Sequence, residues 1–190
     1  MKKILFLSTL FLLQNIYSQG FSIDIGGGIS IPGGDAYEDT NTGLDLKLIQ
    51  LNYKFNESFG ITSSFASSAH GIEDSDGTVG LGRLSIGPSY TLPLGGVSWE
   101  FKPQFILSSA GVVDNPDFGD SDIDKANGFV IGNSILFGTN EGFQFLANID
   151  FITGKLKEIE GIEFDEENGY SFFNIGIGVR YNFWTSREEL

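Results

Sequence analysis

His70 is the only histidine in the 190-residue sequence. It stands in Ser67-Ser68-Ala69-His70-Gly71, with Glu73, Asp74 and Asp76 just behind it. Histidine is a natural general base and serine a natural nucleophile. With a carboxylate they make the ingredients of acyl transfer, although a merely solvated histidine at a strand end has the same sequence. A second group is Asp114, Asp117, Asp120, Asp122 and Asp124, the densest run of oxygen ligands in the chain. Ca²⁺ takes about six to eight hard oxygens. The spacing does not match an EF-hand, since Lys125 stands where the twelfth-position glutamate is needed, and a hydrated, mutually repelling loop is the leading reading. A third group is scattered: Asp24, Arg83, Glu100, Lys102, Asp150 and Arg180, each at the polar phase of an alternating segment.

Those segments must position the candidates, and their dominant signal is period two. Phe21, Ile23, Ile25, Ile29 and Ile31 share one face, against Ser22, Asp24, Gly26, Gly28 and Ser30. Leu44, Leu46 and Leu48 start a second run, in which the phase slips and Ile49, Leu51, Tyr53 and Phe55 take over, as a β-bulge would require. Further runs start at Phe59, Leu84, Val97, Phe129, Phe143 and Phe173. In the fifth, Glu100, Lys102, Gln104 and Ser108 take the polar face; in the eighth, Asn174, Gly176, Gly178, Arg180 and Asn182 do. Membrane strands need about 9–11 residues, whereas soluble strands are nearer five or six; eight runs of about ten to fourteen match the former.

The connections alternate as well. Three are short, at 56–58, 93–96 and 139–142; four are long, at about 33–43, 70–78, 111–126 and 154–169. The long ones hold 17 of the 25 acidic residues. Tight turns at one end and longer loops at the other are the habit of outer-membrane barrels. An even strand count then puts both termini at the short-turn, periplasmic end.

Composition agrees. The formal net charge of −14 repels phosphate, so no nucleic-acid partner is expected. There is no cysteine, hence neither a disulfide nor a lipid-modified N-terminus. Met1-Lys2-Lys3, the apolar run Ile4 to Leu13 and the polar stretch Gln14 to Gln19 follow the order of a secretory signal. The run is too short to span a bilayer as a helix, which needs about 20 residues. The expected organisation is a cleaved signal peptide over 1–19, a barrel over 20–184 and a short tail over 185–190.

With the signal, the eight runs and the closing segment Phe173-Asn174-Ile175-Gly176-Ile177-Gly178-Val179-Arg180-Tyr181-Asn182-Phe183, the chain resembles the small outer-membrane β-barrel domain family, of the OmpX and OmpA-barrel kind. The resemblance implies an all-β, eight-stranded, antiparallel up-and-down transmembrane barrel. It also implies outer-membrane lipid and the assembly machinery as partners. The family often stops on its terminal aromatic; here Trp184 is followed by six more residues, so Phe183 or Trp184 would serve as an internal end signal. Some eight-stranded barrels are lipid A acyltransferases or deacylases, which gives His70 a possible enzymatic reading at the outer leaflet.

If the apolar face meets lipid, the six scattered charges enter the lumen, where an eight-stranded barrel has room only for its own side chains. They must pair, because an isolated buried charge is costly. Asp24 and Arg180 lie at similar heights on the first and last strands, so a salt bridge between them is predicted. Tyr53, Tyr90, Trp99, Phe143, Tyr181 and Trp184 fall near the short-turn ends, as an interfacial girdle would. The leading expectation is a monomeric structural or surface-interaction barrel displaying acidic loops, without a cofactor and with divalent cations as candidate loop ligands. The alternatives are a narrow pore, the lipid A enzyme, and a soluble lipocalin-like barrel with its apolar face inward.

Overall fold

In a computed structural model, residues 20–114, 119, 121–139, 141–159 and 162–185 are described, of which 124, 125, 157–159, 162–168, 184 and 185 by backbone alone. The expected signal peptide lies outside these residues, as do Asp117, Asp120 and nearly all of the tail.

Eight antiparallel strands pair each with its sequence neighbour, and the last pairs with the first to close a barrel. They are β1 (Gly20–Gly33), β2 (Gly43–Lys54), β3 (Phe59–Gly71), β4 (Thr78–Pro93), β5 (Val97–Asp114), β6 (Ser121–Phe137), β7 (Gly142–Ile159) and β8 (Ile162–Thr185). Closure leaves no sheet edge, so the strands satisfy one another's backbone donors and acceptors. Gly20 pairs with both Lys54 and Thr185, which puts the two ends of the barrel chain at the short-turn rim.

The alternation places the faces as the sequence predicts. Most isoleucines, leucines and phenylalanines of the strands point outward, and the outward Ile177 is 74% exposed. A lipocalin-like barrel would put this face inside; here it forms an external apolar belt, far beyond the isolated apolar patches of a soluble surface. The phase slip in β2 is a bulge: the register shifts between Lys47 and Ile49, and Leu48 and Ile49 both face out.

Two expectations need correction. A second bulge lies in β5, where Leu84 pairs with Ser108 but Ser85 with Ile106. It turns Ser108 outward, not into the lumen, and gives the inward place to Ser109. The predicted loops at 111–126 and 154–169 are largely strand. Val113 pairs with Ser121 and Ile159 with Ile162, so both hairpins continue beyond the apolar runs. Backbone pairing does not require apolar side chains, and acidic residues tolerate a solvated ladder.

The first long connection behaves differently. Asp35–Tyr37 forms a short 3-10 turn that carries Tyr37 back over the barrel mouth. Gly34 makes the reversal, with φ 86 and a missing Cβ that would stand 2.6 Å from the Gly169 carbonyl oxygen. Glycine alone accepts both conditions at little cost.

Candidate functional site

Among the described residues, the buried titratable side chains converge in the barrel interior, which is built in two layers. All six of the scattered charged residues lie in it and are buried. Nearest the short-turn rim, Arg180 stands directly opposite Asp24 across the β1–β8 seam. Its Nε donates to Asp24 Oδ1 at 2.6 Å and a terminal nitrogen to Oδ2 at 2.8 Å. The same guanidinium crosses the lumen to Glu100, donating to both carboxylate oxygens at 2.7 Å. Gln50 and Asn52 donate to the remaining lone pairs of Asp24, at 2.7 and 3.0 Å. Lys102 lies 3.7 Å from Glu100 and donates to Ser134 Oγ at 2.6 Å.

Higher in the barrel, Lys47 pairs with Asp150 at 2.9 Å, and Arg83 with Asp45 in a short contact. Asp45 and Lys47 were missed in the sequence reading. Their signal was present, since they alternate with Leu44, Leu46 and Leu48 and so share the polar phase of β2. Paired in this way, the buried carboxylates and cations offset one another, and the cost of taking them out of water is met by multidentate geometry.

Above the charges the lumen turns apolar, contrary to the expectation that paired charges fill it throughout. Leu81, Ile106, Val130, Ile152, Leu156 and Phe172 point inward and form one cluster with Tyr37. Doubled apolar residues had marked this layer: Phe105-Ile106-Leu107, Phe129-Val130-Ile131 and Phe151-Ile152 put apolar groups on both faces of a strand. Tyr37 closes the layer from above, its ring edge-on to Phe172 at 4.8 Å, and it is only 2% exposed. Burial pushes the Tyr37 phenol up from its ordinary pKa. Among the described residues its hydroxyl has no hydrogen-bond partner.

His70 belongs to this upper layer and is not a solvated loop residue. It stacks on Phe172 at 5.0 Å, faces the edge of Tyr37 and donates through Nδ1 to the Asn41 carbonyl at 3.1 Å. Ser68 accepts instead from Arg83, and Ser67 lies on the outward face. Among the described residues, no hydroxyl or carboxylate is hydrogen-bonded to His70, and its Nε2 has no partner. The acidic run fares similarly. Asp114 and Asp122 are exposed on β5 and β6, Asp124 is described by backbone alone, and no described group of three acidic or histidine side chains could hold a metal ion.

The aromatics gather at the short-turn rim. Tyr53 meets Phe55, Tyr90 meets Phe59, Trp99 meets Phe101 and Phe143 meets Tyr181, at centroid distances of 5.5, 5.2, 6.1 and 4.9 Å. For Trp184 only the backbone, paired with Phe21, is described.

No family model and no curated protein matches the sequence. Solved structures do match in fold. The crystal structure of Neisserial surface protein A aligns with a TM-score of 0.62 at 13% identity, over 87% of this chain and 99% of that one. Ail, the attachment invasion locus protein of Yersinia pestis, aligns with a TM-score of 0.52 at 20% identity, over the same shares. Ail in complex with the heparin analogue sucrose octasulfate gives 0.54 at 21%, again over 87% and 99%. The chain therefore has the closed eight-stranded fold of the small outer-membrane barrels.

Proposed function

We propose that this protein is an integral outer-membrane barrel that anchors and displays an acidic outer rim. The carrying observation is the pairing of an apolar outer belt with a lumen filled by side chains in two layers. The belt suits lipid, and the aromatic pairs at the short-turn rim suit the headgroup level. The described lumen side chains favour an anchor over a conduit: ion pairs occupy the lower half, and Tyr37 with Phe172 the upper. The neighbouring fold of Neisserial surface protein A supports outer-membrane residence. Both termini then face the periplasm, and the acidic connections face outward. The barrel is a monomer that meets lipid and the assembly machinery, with the segment ending at Phe183 as its last strand.

The acidic rim also separates this chain from Ail in its sulfated-sugar complex. In the sequence 17 of the 25 acidic residues fall in the four long connections, and a rim so charged repels polyanions and attracts cations. Planar-bilayer recording of the purified protein tests the anchor against a narrow pore. The expected result is no discrete conductance above the bare membrane. Reproducible unitary steps would replace the anchor by a channel.

A further inference from the structure

We infer that the outer mouth of the barrel is a binding site for a basic, apolar peptide segment of a partner protein. The inference rests on the sidedness proposed above. A cavity of about 210 Å³ opens between Asp35–Thr40 and the tops of the neighbouring strands. Its floor is apolar, made by the partly exposed Ile72 and Val113 over the buried Val79, Ile123 and Leu156. Its rim is acidic: Asp35, Glu38 and Asp39 line it and are exposed.

The cavity is held open in advance. The buried Tyr37 ring pins the middle of the connection to Phe172 beneath it. The Tyr37 amide donates to the Gly34 carbonyl at 3.1 Å, and Thr40 Oγ1 donates to the Tyr37 carbonyl at 2.8 Å. Asn41 and Glu73 amides tie the connection to β3 and its following turn, donating to Gly71 and Asp39 carbonyls at 2.8 Å each. A preformed site spares the ordering cost of binding.

Size and charge choose the occupant. The volume is below the roughly 300–1,000 Å³ that encloses a drug-sized ligand, and suits one large apolar side chain. An anionic amphiphile would meet three carboxylates at the rim, and a neutral one would gain nothing from them. An apolar side chain flanked by lysine or arginine satisfies both parts: the side chain covers the floor and the cations pair with the rim. Basic flanks are also steered to the mouth by the acidic field around it.

The test uses full-length barrel in zwitterionic lipid nanodiscs, methyl-labelled and titrated with three capped tripeptides: Lys-Leu-Lys, Lys-Ser-Lys and Glu-Leu-Glu. The expected result is that Lys-Leu-Lys shifts the methyls of Ile72, Val79 and Ile123 at least tenfold more tightly than either control. The triple variant Asp35→Asn, Glu38→Gln, Asp39→Asn, altered only at exposed positions, should lose about that tenfold. Salt at about 0.5 M should weaken wild type similarly, through screening. Equal responses to all three peptides, a preference for Glu-Leu-Glu, or unmoved floor methyls would overturn the site. Shifts that follow added lipid instead would assign the cavity to acyl chains and equally overturn it. The titration is read from the cavity's own methyls, so it remains interpretable if the anchor reading fails in fractionation.

Discussion

Arg180 on the last strand holds Asp24 on the first by two parallel hydrogen bonds across the seam that closes the barrel, at 2.6 and 2.8 Å. With Glu100 bound through the same guanidinium, one side chain bridges two buried carboxylates. Arg180→Met would leave Asp24 without its cationic partner and Glu100 with only the longer contacts to Lys54 and Lys102, at 3.4 and 3.7 Å, and breaking a buried pair costs about 3–5 kcal/mol. Arg180→Lys keeps the charge but loses the planar fork, so an intermediate loss is expected. Urea unfolding of the barrel in lipid vesicles measures both. Equal stability of the three proteins would mean that the network contributes nothing to closure.

Tyr37 makes a different prediction, because its ring is packed and its hydroxyl is not. Tyr37→Phe removes a buried donor without a partner among the described residues, so stability should hold or rise slightly. Tyr37→Ala removes the ring from the upper layer and should cost about 3–5 kcal/mol. The sign of the pH effect follows from the raised pKa. The neutral phenol is the folded form, so its contribution is complete below the unfolded value of about 10 and declines as pH rises above it. Unfolding curves across that range should fall for wild type and stay flatter for Tyr37→Phe. Parallel curves would count against a buried Tyr37.

The β1–β8 seam is also tight along its backbone. A Cβ at Gly28 would stand 2.1 Å from the Ile175 carbonyl oxygen, whereas one at Gly71 would meet nothing within 4 Å. Gly28→Ala should therefore lower the folded fraction, by overpacking of about 1–3 kcal/mol or more. Gly71→Ala should not. The band ratio on a cold-detergent gel reads both, and equal folding would contradict the register of the seam.

The outer belt can be probed at Ile177, which is 74% exposed. In lipid, Ile177→Arg should cost about 2–4 kcal/mol if the site lies near the midplane. In water the same exposed substitution would fall within about 0.5 kcal/mol of wild type. Unfolding in vesicles distinguishes the two environments.

Much of this architecture was legible because a closed sheet with one apolar face writes period two into every strand. The slip at Leu48 and Ile49 was readable as a bulge because apolar residues resume at once in the opposite phase. The meeting of Asp24 with Arg180 followed from counting up two strands that closure makes neighbours. The bulge at Leu107 and Ser108 was not readable, since a serine fits either face. The long β7–β8 hairpin looked like a loop because its acidic residues hide a ladder made by backbone. Tyr37 lay in a connection without periodicity, and only the fold shows that it returns to cap Phe172. The inner apolar layer was visible as doubled apolar residues, but a one-face reading absorbs such pairs into the outer belt.

The most direct test of the central claim is a cold-versus-heated detergent gel on the membrane pellet of expressing cells. A lipid-embedded barrel held by Asp24, Arg180 and Glu100 should stay in the pellet through alkaline carbonate and run as a faster band when unheated. Release of the protein without detergent, with a single mobility before and after heating, would contradict it.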